Sequence, residues 1–195
     1  MPTRNAYIAT LSSFVVVFVL QLISLFNPSW IQYTSPEPFY TKTTYGLFQK
    51  CSTLTDDCRR FPQKSWGDCD HDKGSSGPMV NLCVEWRAAA GISIASTIVG
   101  VVIVAGLSMV LYAGETWHAR GWKHLVGLIS LFAGWQALSM GLIVHASSAS
   151  SMFAHHRYGA SFILSGVSWG LTAVMALGVL FYAKYMAQGY IALQE

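Results

Sequence analysis

Residues Pro28–Arg87 read PSWIQYTSPEPFYTKTTYGLFQKCSTLTDDCRRFPQKSWGDCDHDKGSSGPMVNLCVEWR, a polar segment that lies between two hydrophobic runs. Its Lys and Arg residues equal its Asp and Glu residues in number, so the segment is formally neutral. It contains every cysteine of the chain, namely Cys51, Cys58, Cys69 and Cys83. Hydrophobic runs and short connectors make up the rest of the chain, and we interpret them as a scaffold that displays this one loop.

Outside the loop, apolar residues cluster into four runs that contain no Asp, Glu, Lys or Arg. Each run has about 20 residues or more, the length that crosses the roughly 30 Å hydrocarbon core of a bilayer. The chain is 53% hydrophobic and 11% charged, whereas soluble domains have about 25% charged residues. The runs also lack the polar stripe of a soluble bundle helix. The sequence therefore predicts four transmembrane helices, at Tyr7–Phe26, Ala88–Ala113, Leu125–Ala146 and Ala160–Ala183.

These helices form a single predicted tetraspan domain, residues 1–195. The connecting segments are a first loop at 27–87, an inner loop at 114–124, a second loop at 147–159 and a tail at 184–195. The first run lacks a small-x-small cleavage pattern at its end, so we expect a retained helix and not a signal peptide.

The orientation of the chain follows from the Lys and Arg residues near the helix ends, which favour the cytoplasmic side. With a cytoplasmic amino terminus, the second outer loop carries Arg157, and the inner side carries four basic residues: Arg4, Arg120, Lys123 and Lys184. We expect an integral multi-pass protein, in the plasma membrane, with both termini cytoplasmic. The cysteine-rich loop then lies outside, where disulfides persist.

Several residues in and near the helices have expected structural roles. Gln21 and Gln136 are expected to form interhelical hydrogen bonds. Small residues four apart are expected to let helices approach closely, and three such pairs occur: Ser96 with Gly100, Ser130 with Gly134, and Gly166 with Gly170. Aromatic residues near the helix ends are interpreted as membrane-interface residues: Tyr7, Trp30, Trp86, Tyr112, Trp117, Trp122, Tyr158, Tyr182, Tyr185 and Tyr190.

The first loop contains alternating polar and aromatic or β-branched residues, which predict short strands at Ile31–Tyr33, Phe39–Thr41 and Thr43–Tyr45. Short strands need partners, so a small antiparallel sheet stapled by disulfides is expected. Four cysteines allow three pairings. Proximity in sequence favours Cys51 with Cys58, which would clamp a hairpin, and Cys69 with Cys83. A zinc site is the alternative, although structural zinc sites have closer cysteine spacings.

The loop also contains a pattern of widely spaced residues. Trp30 follows Asn27-Pro28-Ser29 directly after the first helix, and Gly46-Leu47-Phe48-Gln49-Lys50-Cys51 precedes Cys58. This arrangement resembles the Trp … Gly-Leu-Trp-x-x-Cys … Cys signature of the claudin superfamily. That superfamily includes peripheral myelin protein, epithelial membrane proteins, stargazin-type channel subunits and fungal tetraspans. The four spans and Arg87-Ala88 at the start of the second helix also fit.

The resemblance implies roles for the residues of the pattern. The sheet is expected to be held against the outer helix ends by four residues: Trp30, Gly46, Leu47 and Phe48. A Cys51–Cys58 bond is expected to join two strands. Phe48 in place of the signature Trp, and the additional Cys69 and Cys83, fit a divergent branch such as the fungal plasma-membrane tetraspans.

Candidate catalytic and metal-binding groups are few. His145 with His155 and His156 is a candidate for a metal or pH-sensing site, with solvated surface histidines as the alternative. A weaker set lies in the inner loop: Glu115, His118 and His124. Redox, phosphate-binding and Ser-nucleophile motifs are lacking, and the basic residues are too scattered for nucleic-acid binding. We therefore expect no catalytic residue, no cofactor and no metal.

These observations predict a non-enzymatic, claudin-like tetraspan that organises membrane domains or cell-surface contacts through its first loop. The expected partners are membrane lipid, other integral membrane proteins in the same or an opposing membrane, and further copies of the chain. The alternative is an auxiliary, stargazin-type subunit of a channel or membrane-embedded synthase. An intramembrane enzyme, the third hypothesis, would need an essential group among five residues: Gln21, Gln136, His145, His155 and His156.

Overall fold

The structure, a computed structural model, describes residues 4–35, 41–69, 82–112, 115–150, 153 and 156–191. Within these residues the long helices are α1 (Arg4–Phe26), α2 (Leu82–Tyr112), α3 (Glu115–Ala149) and α4 (Ala160–Ile191). The strands are β1 (Ile31–Thr34), β2 (Lys42–Tyr45), β3 (Gln49–Ser52), β4 (Asp57–Arg60) and β5 (Arg157–Tyr158). This confirms the predicted fold class, a four-helix transmembrane bundle with a small disulfide-stapled antiparallel sheet.

The helices are those of a multi-pass membrane protein. Each contains a stretch long and apolar enough to cross a bilayer: Arg4–Phe26, Leu82–Tyr112, Trp122–Ala149 and Ala160–Tyr182. Their ends differ from the predicted ones. α2 begins at Leu82 and not at Ala88, and α3 begins at Glu115, so most of the predicted inner loop is helical. Hydropathy locates the part of a helix that lies in lipid, whereas backbone hydrogen bonding continues the helix beyond it.

A line of buried hydroxyl and amide groups joins the helices. Ser24 Oγ in α1 donates to Ser161 O at the start of α4 over 2.6 Å, and Ser165 Oγ in α4 donates to Gln21 Oε1 over 3.4 Å. Between α3 and α4, Gln136 Nε2 donates to Ser168 Oγ over 3.4 Å. The predicted interhelical hydrogen bonds of Gln21 and Gln136 are therefore confirmed.

The same kind of contact joins α2 and α3. Ser93 Oγ and Ser139 Oγ are 2.7 Å apart, and Ser139 Oγ also lies 3.0 Å from the Ala89 carbonyl oxygen, to which it can donate. Because lipid gives no hydrophobic drive for helix association, close packing and such hydrogen bonds carry much of the attraction between helices.

Of the three predicted small-residue pairs, Ser96 with Gly100 lies at a helix contact. A Cβ added at Gly100 would overlap the Phe18 ring and lie 3.1 Å from Phe132 Cε2. The prediction for Ser130 and Gly134 is wrong, because both are exposed, and a Cβ at Gly134 would meet no atom within 4 Å. A spacing of four residues identifies one face of a helix, but it does not say whether that face points to a neighbour or to lipid.

The third pair, Gly166 with Gly170, is only partly at a contact. A Cβ at Gly166 would lie 3.4 Å from Met140 Cε, an ordinary contact distance, and a Cβ at Gly170 would meet nothing within 4 Å. Apart from Ala176, the buried positions described in α4 are hydroxyl residues: Ser161, Ser165, Ser168 and Thr172.

The sheet is antiparallel and has the strand order β4-β3-β2-β1-β5. β1 and β2 confirm two of the three predicted strands, and the β3–β4 pair is the expected hairpin. The third predicted strand includes Phe39 and Tyr40, which lie outside the described residues. The sequence did not predict β5, which comes from the second loop and adds Arg157 and Tyr158 to the edge of β1.

The contrast between two mid-helix glycines is testable. We expect Gly100→Ala to lower the free energy of unfolding by about 1–3 kcal/mol, because its methyl group would force the Phe18 ring to move. Gly134→Ala is the matched control and should not lower that free energy, because its methyl group meets no neighbour and alanine favours a helix over glycine by up to about 1 kcal/mol. Unfolding of the purified proteins in mixed SDS–detergent micelles, followed by tryptophan fluorescence, measures both. Equal destabilisation would contradict the assignment of buried and exposed faces.

Candidate functional site

Two buried indoles seat the sheet on the helix ends. Trp30 and Trp86 are both 0% exposed. Trp30 Nε1 donates to Ser24 O in the last turns of α1 over 2.8 Å. Trp86 Nε1, in α2, donates to Gly46 O after β2 over 3.2 Å. The interpretation of these two tryptophans as membrane-interface residues is wrong, because the sheet covers them.

An aromatic cluster fills the space between the sheet and the helices. Trp86 stacks on Phe153 with ring centroids 5.8 Å apart and meets the Phe61 ring edge-on at 5.2 Å. Tyr45 closes the cluster, with centroids 5.2 Å from Phe61 and 5.1 Å from Phe153. β2, the segment directly after β4, α2 and the second loop each contribute one ring, so the cluster ties four separate parts of the chain together.

The turn after β2 packs closely against the segment that follows α1. A Cβ on Gly46 would lie 2.7 Å from Pro28 Cα, and the Gly46 amide donates to Gln49 O over 2.7 Å. Leu47 is 2% exposed and belongs to the same core. Phe48 is 37% exposed and lines a groove beside α2, so its expected role in holding the sheet against the helices stays a prediction.

The second loop is bonded to the first at the base of the sheet. The Gly159 amide donates to Trp30 O over 2.8 Å, and the Ser161 amide donates to Ser29 O over 3.0 Å. A Cβ on Gly159 would overlap the Ser29 carbonyl oxygen. A glycine just before a helix could have indicated a close backbone approach, but the sequence does not say to which segment.

Both disulfides link neighbours in sequence. Cys51 bonds to Cys58 across directly opposed positions of β3 and β4. Cys69 bonds to Cys83 in the first turn of α2. This is the sequential pairing among the three that four cysteines allow. The first bond closes the hairpin, and the second ties the segment after β4 to the bundle. We call the described part of 31–69, its two disulfides and β5 the cap.

The edge of the cap near β4 is rich in charge. Arg59 Nη2 donates to Asp68 Oδ1 over 3.0 Å, and Asp68 is 3% exposed. The Gln63 amide donates to the other Asp68 oxygen over 3.2 Å. The Arg59 guanidinium lies over the Trp66 ring at 4.7 Å. Asp68 therefore fixes Arg59 and the turn after β4 at the same time.

Burial and these charges shift two pKa values. Burial raises the pKa of Tyr45 to about 12, with a smaller contribution from the Asp68 carboxylate. Burial lowers the pKa of Lys50, and the Arg59 cation lowers it further. The Lys50 ammonium lies 4.9 Å from the centre of the Tyr45 ring, a cation–π contact that partly offsets the lost hydration.

Of the histidines proposed for a metal or pH-sensing site, the structure describes His145 and His156, and each has its own polar partner. His145 Nδ1 lies 3.0 Å from Glu85 Oε2, and His156 Nδ1 lies 2.7 Å from Phe153 O. His155 lies outside the described residues, as do the side chains of Glu115 and His118, and His124 is exposed. Within the described part of the chain, no group of three His, Cys, Asp or Glu residues could hold a metal ion.

The cap presents apolar side chains away from the helices. Leu54, in the turn between β3 and β4, is 75% exposed, and Trp66 is 66% exposed. Arg87, which the family pattern singled out, lies within α2, and its Nη2 is 3.5 Å from Pro62 O.

No protein-family model and no curated protein matches this chain. The exposed residues of a rigid cap are therefore the best guide to function.

The contact between the cap and the helices can be tested at Trp86. Trp86→Phe keeps an aromatic ring beside Phe61 and Phe153 but removes the indole donor of Gly46 O. We expect the free energy of unfolding to fall by about 1–3 kcal/mol, the cost of leaving a buried acceptor without its partner. Thermal unfolding in detergent measures the loss. Trp169→Phe is the control, because Trp169 is 41% exposed on α4. Equal losses in both variants would contradict a special role for the indole hydrogen bond.

A second prediction concerns alkaline stability. The Tyr45 phenol keeps its proton in the folded protein up to about pH 12, whereas in the unfolded chain it ionises near pH 10. Stability is therefore lost as the pH rises above 10, by about 1 kcal/mol between pH 9 and 11. Tyr45→Phe should lack this part of the loss, and Lys50 is present in both proteins. Parallel denaturation curves at the two pH values test this, and an equal loss in both proteins would contradict it.

Proposed function

We propose that this protein is a non-enzymatic, claudin-like tetraspan of the plasma membrane whose cap contacts other integral membrane proteins or further copies of itself. Such contacts would organise a membrane domain or a cell-surface contact. The observation that carries the proposal is the combination of a cap fixed to the bundle and the exposed Leu54 and Trp66 side chains on it. Both termini lie in the cytoplasm in this proposal, and the disulfide-bonded cap lies on the oxidising side.

The family pattern supports the proposal through its geometry. Trp30, Gly46 and Leu47 lie in the contact between the sheet and the helices, and Cys51–Cys58 joins two strands. These are the roles that the resemblance to the claudin superfamily implies for them. Phe48 departs from the pattern both in its residue type and in its exposure, which supports a divergent member.

The use of polar groups within the bundle supports a structural role over a catalytic one. The buried amides Gln21 and Gln136 bond to serine hydroxyls of α4. The predicted spans contain no Asp, Glu, Lys or Arg, although intramembrane chemistry generally depends on such ionisable groups. These buried amide and hydroxyl groups therefore hold the helices together, and we place the proposed function on the surface of the protein.

The experiment is purification of the tagged full chain in native-lipid discs, with counting of copies and of co-purified proteins. Wild type should carry a second copy or a stoichiometric integral membrane protein. Leu54→Asp should lose most of this association, because a charge at the hairpin turn must be desolvated in the contact. Arg157→Gln, on the opposite edge of the sheet, is the control and should keep it. Cys51→Ser with Cys58→Ser should weaken it by loosening the hairpin. Wild type that is monomeric and without partners would contradict the proposal.

A second candidate function is that of an auxiliary subunit beside a larger membrane protein. It is favoured by the exposed face of α3, where small residues follow one another at helical spacing: Gly127, Ser130, Gly134 and Gly141. A Cβ at any of the three glycines would meet nothing within 4 Å, so a foreign helix could approach the α3 backbone closely. In the same experiment, loss of a large partner in Gly134→Leu but not in Leu54→Asp would favour this candidate.

A further inference from the structure

A groove of about 770 Å³ lies between the cap and α2. This volume is within the range of about 300–1,000 Å³ that is typical of ligand sites. Its upper wall is formed by the β3–β4 hairpin and the turn after β4, and its lower wall by one face of α2. The exposed Phe48 ring also lines it. Leu47 and Phe61 belong both to the contact between the sheet and the helices and to the lining of the groove, whereas the exposed hairpin turn does not line it.

The upper part of the groove is cationic. Arg59, Arg60 and Arg87 all line it, and none of the described residues that line it is acidic. Asp68 neutralises Arg59. Arg60 and Arg87 form no ion pair within the described part of the chain, which leaves two guanidinium groups for an anion. Guanidinium groups bind phosphate oxygens in a bidentate manner.

The lower part of the groove is apolar and runs along the membrane-spanning helix. Ala90, Gly91 and Ile94 line it below Arg87, and their spacing of three, four and seven residues from Arg87 places all four on one face of α2. Ile94 lies about 10 Å further along the helix than Arg87 and is 47% exposed. A Cβ at Gly91 would meet nothing within 4 Å. The groove therefore passes from cationic to apolar in the direction of the hydrocarbon.

We propose that this groove binds an anionic phospholipid of the surrounding leaflet. The phosphate lies between Arg60 and Arg87, and an acyl chain follows Ala90, Gly91 and Ile94. A soluble anion would use the arginines alone, whereas a lipid uses the cationic and the apolar parts together. Phe48 lines the same groove, and aromatic rings favour the interface between headgroups and acyl chains.

The test is native mass spectrometry of the full chain in detergent, titrated with phosphatidylglycerol or phosphatidylcholine. Wild type should bind phosphatidylglycerol in preference and saturate at one tight site. Arg60→Gln with Arg87→Gln should weaken this binding by about fivefold for each arginine. Arg157→Gln removes a cation from the far edge of the sheet and should leave the binding unchanged. Equal binding of the two lipids by wild type, or unchanged binding in the double variant, would overturn the proposal.

A second pair of variants tests the apolar part without altering charge or the arginines' contacts with the cap. Gly91→Leu fills the groove and should abolish the tight site. Gly141→Leu is the control, because Gly141 is an exposed glycine of α3 with equally open surroundings. Inorganic phosphate is added as a competitor and should not displace the lipid. Displacement by phosphate, or full lipid binding in Gly91→Leu, would assign the arginines to a soluble anion and overturn the lipid proposal.

Discussion

The structure depends on two indole N–H groups that bond to backbone carbonyls where the sheet meets the helices. Trp30 bonds to the last turns of α1 and Trp86 bonds to the turn after β2. Near a membrane, a buried carbonyl without a donor costs more than the hydrogen bond itself contributes in water. The two indoles therefore fix the height of the sheet above the bundle. The aromatic cluster, the β5 addition and the groove beside α2 all require that height.

The bundle below the sheet is held by hydroxyl and amide groups in place of charges. Ser24 hydrogen-bonds to Ser161, Gln21 to Ser165 and Gln136 to Ser168, and each of these bonds joins two different helices. Such contacts are individually modest, but every one of them needs its partner helix at a fixed distance and rotation. A bundle built in this way leaves few interior polar groups for other work. The features that can recognise another molecule are consequently on the cap, in the groove and on the lipid-facing side of α3.

The sequence predicted the parts of this arrangement that depend on local patterns. The lengths of the apolar runs placed the four helices, alternation placed β1 and β2, and proximity favoured the cysteine pairing that the structure contains.

The sequence-based predictions were wrong where one pattern fits two different arrangements. An aromatic residue at a helix end is an interface residue unless a sheet covers it, as happens at Trp30 and Trp86. Small residues four apart can face a neighbouring helix, as Gly100 does, or the outside of the bundle, as Gly134 does. β5 has two residues, too few for any alternation. The groove unites Arg60 with Arg87, which are distant in sequence, so only the fold reveals it.

The β3–β4 hairpin connects the two surfaces to which we assign recognition. Its turn carries the exposed Leu54, its base carries Arg59 and Arg60, and the Cys51–Cys58 bond lies between them. A disulfide across directly opposed strand positions holds the two strands of the hairpin in register. Arg59 adds to this rigidity, since Asp68 and the Trp66 ring hold it from two sides. The lipid proposed for the groove uses one arginine of this hairpin, Arg60, and one of α2, Arg87, so the same rigid hairpin would carry both contacts.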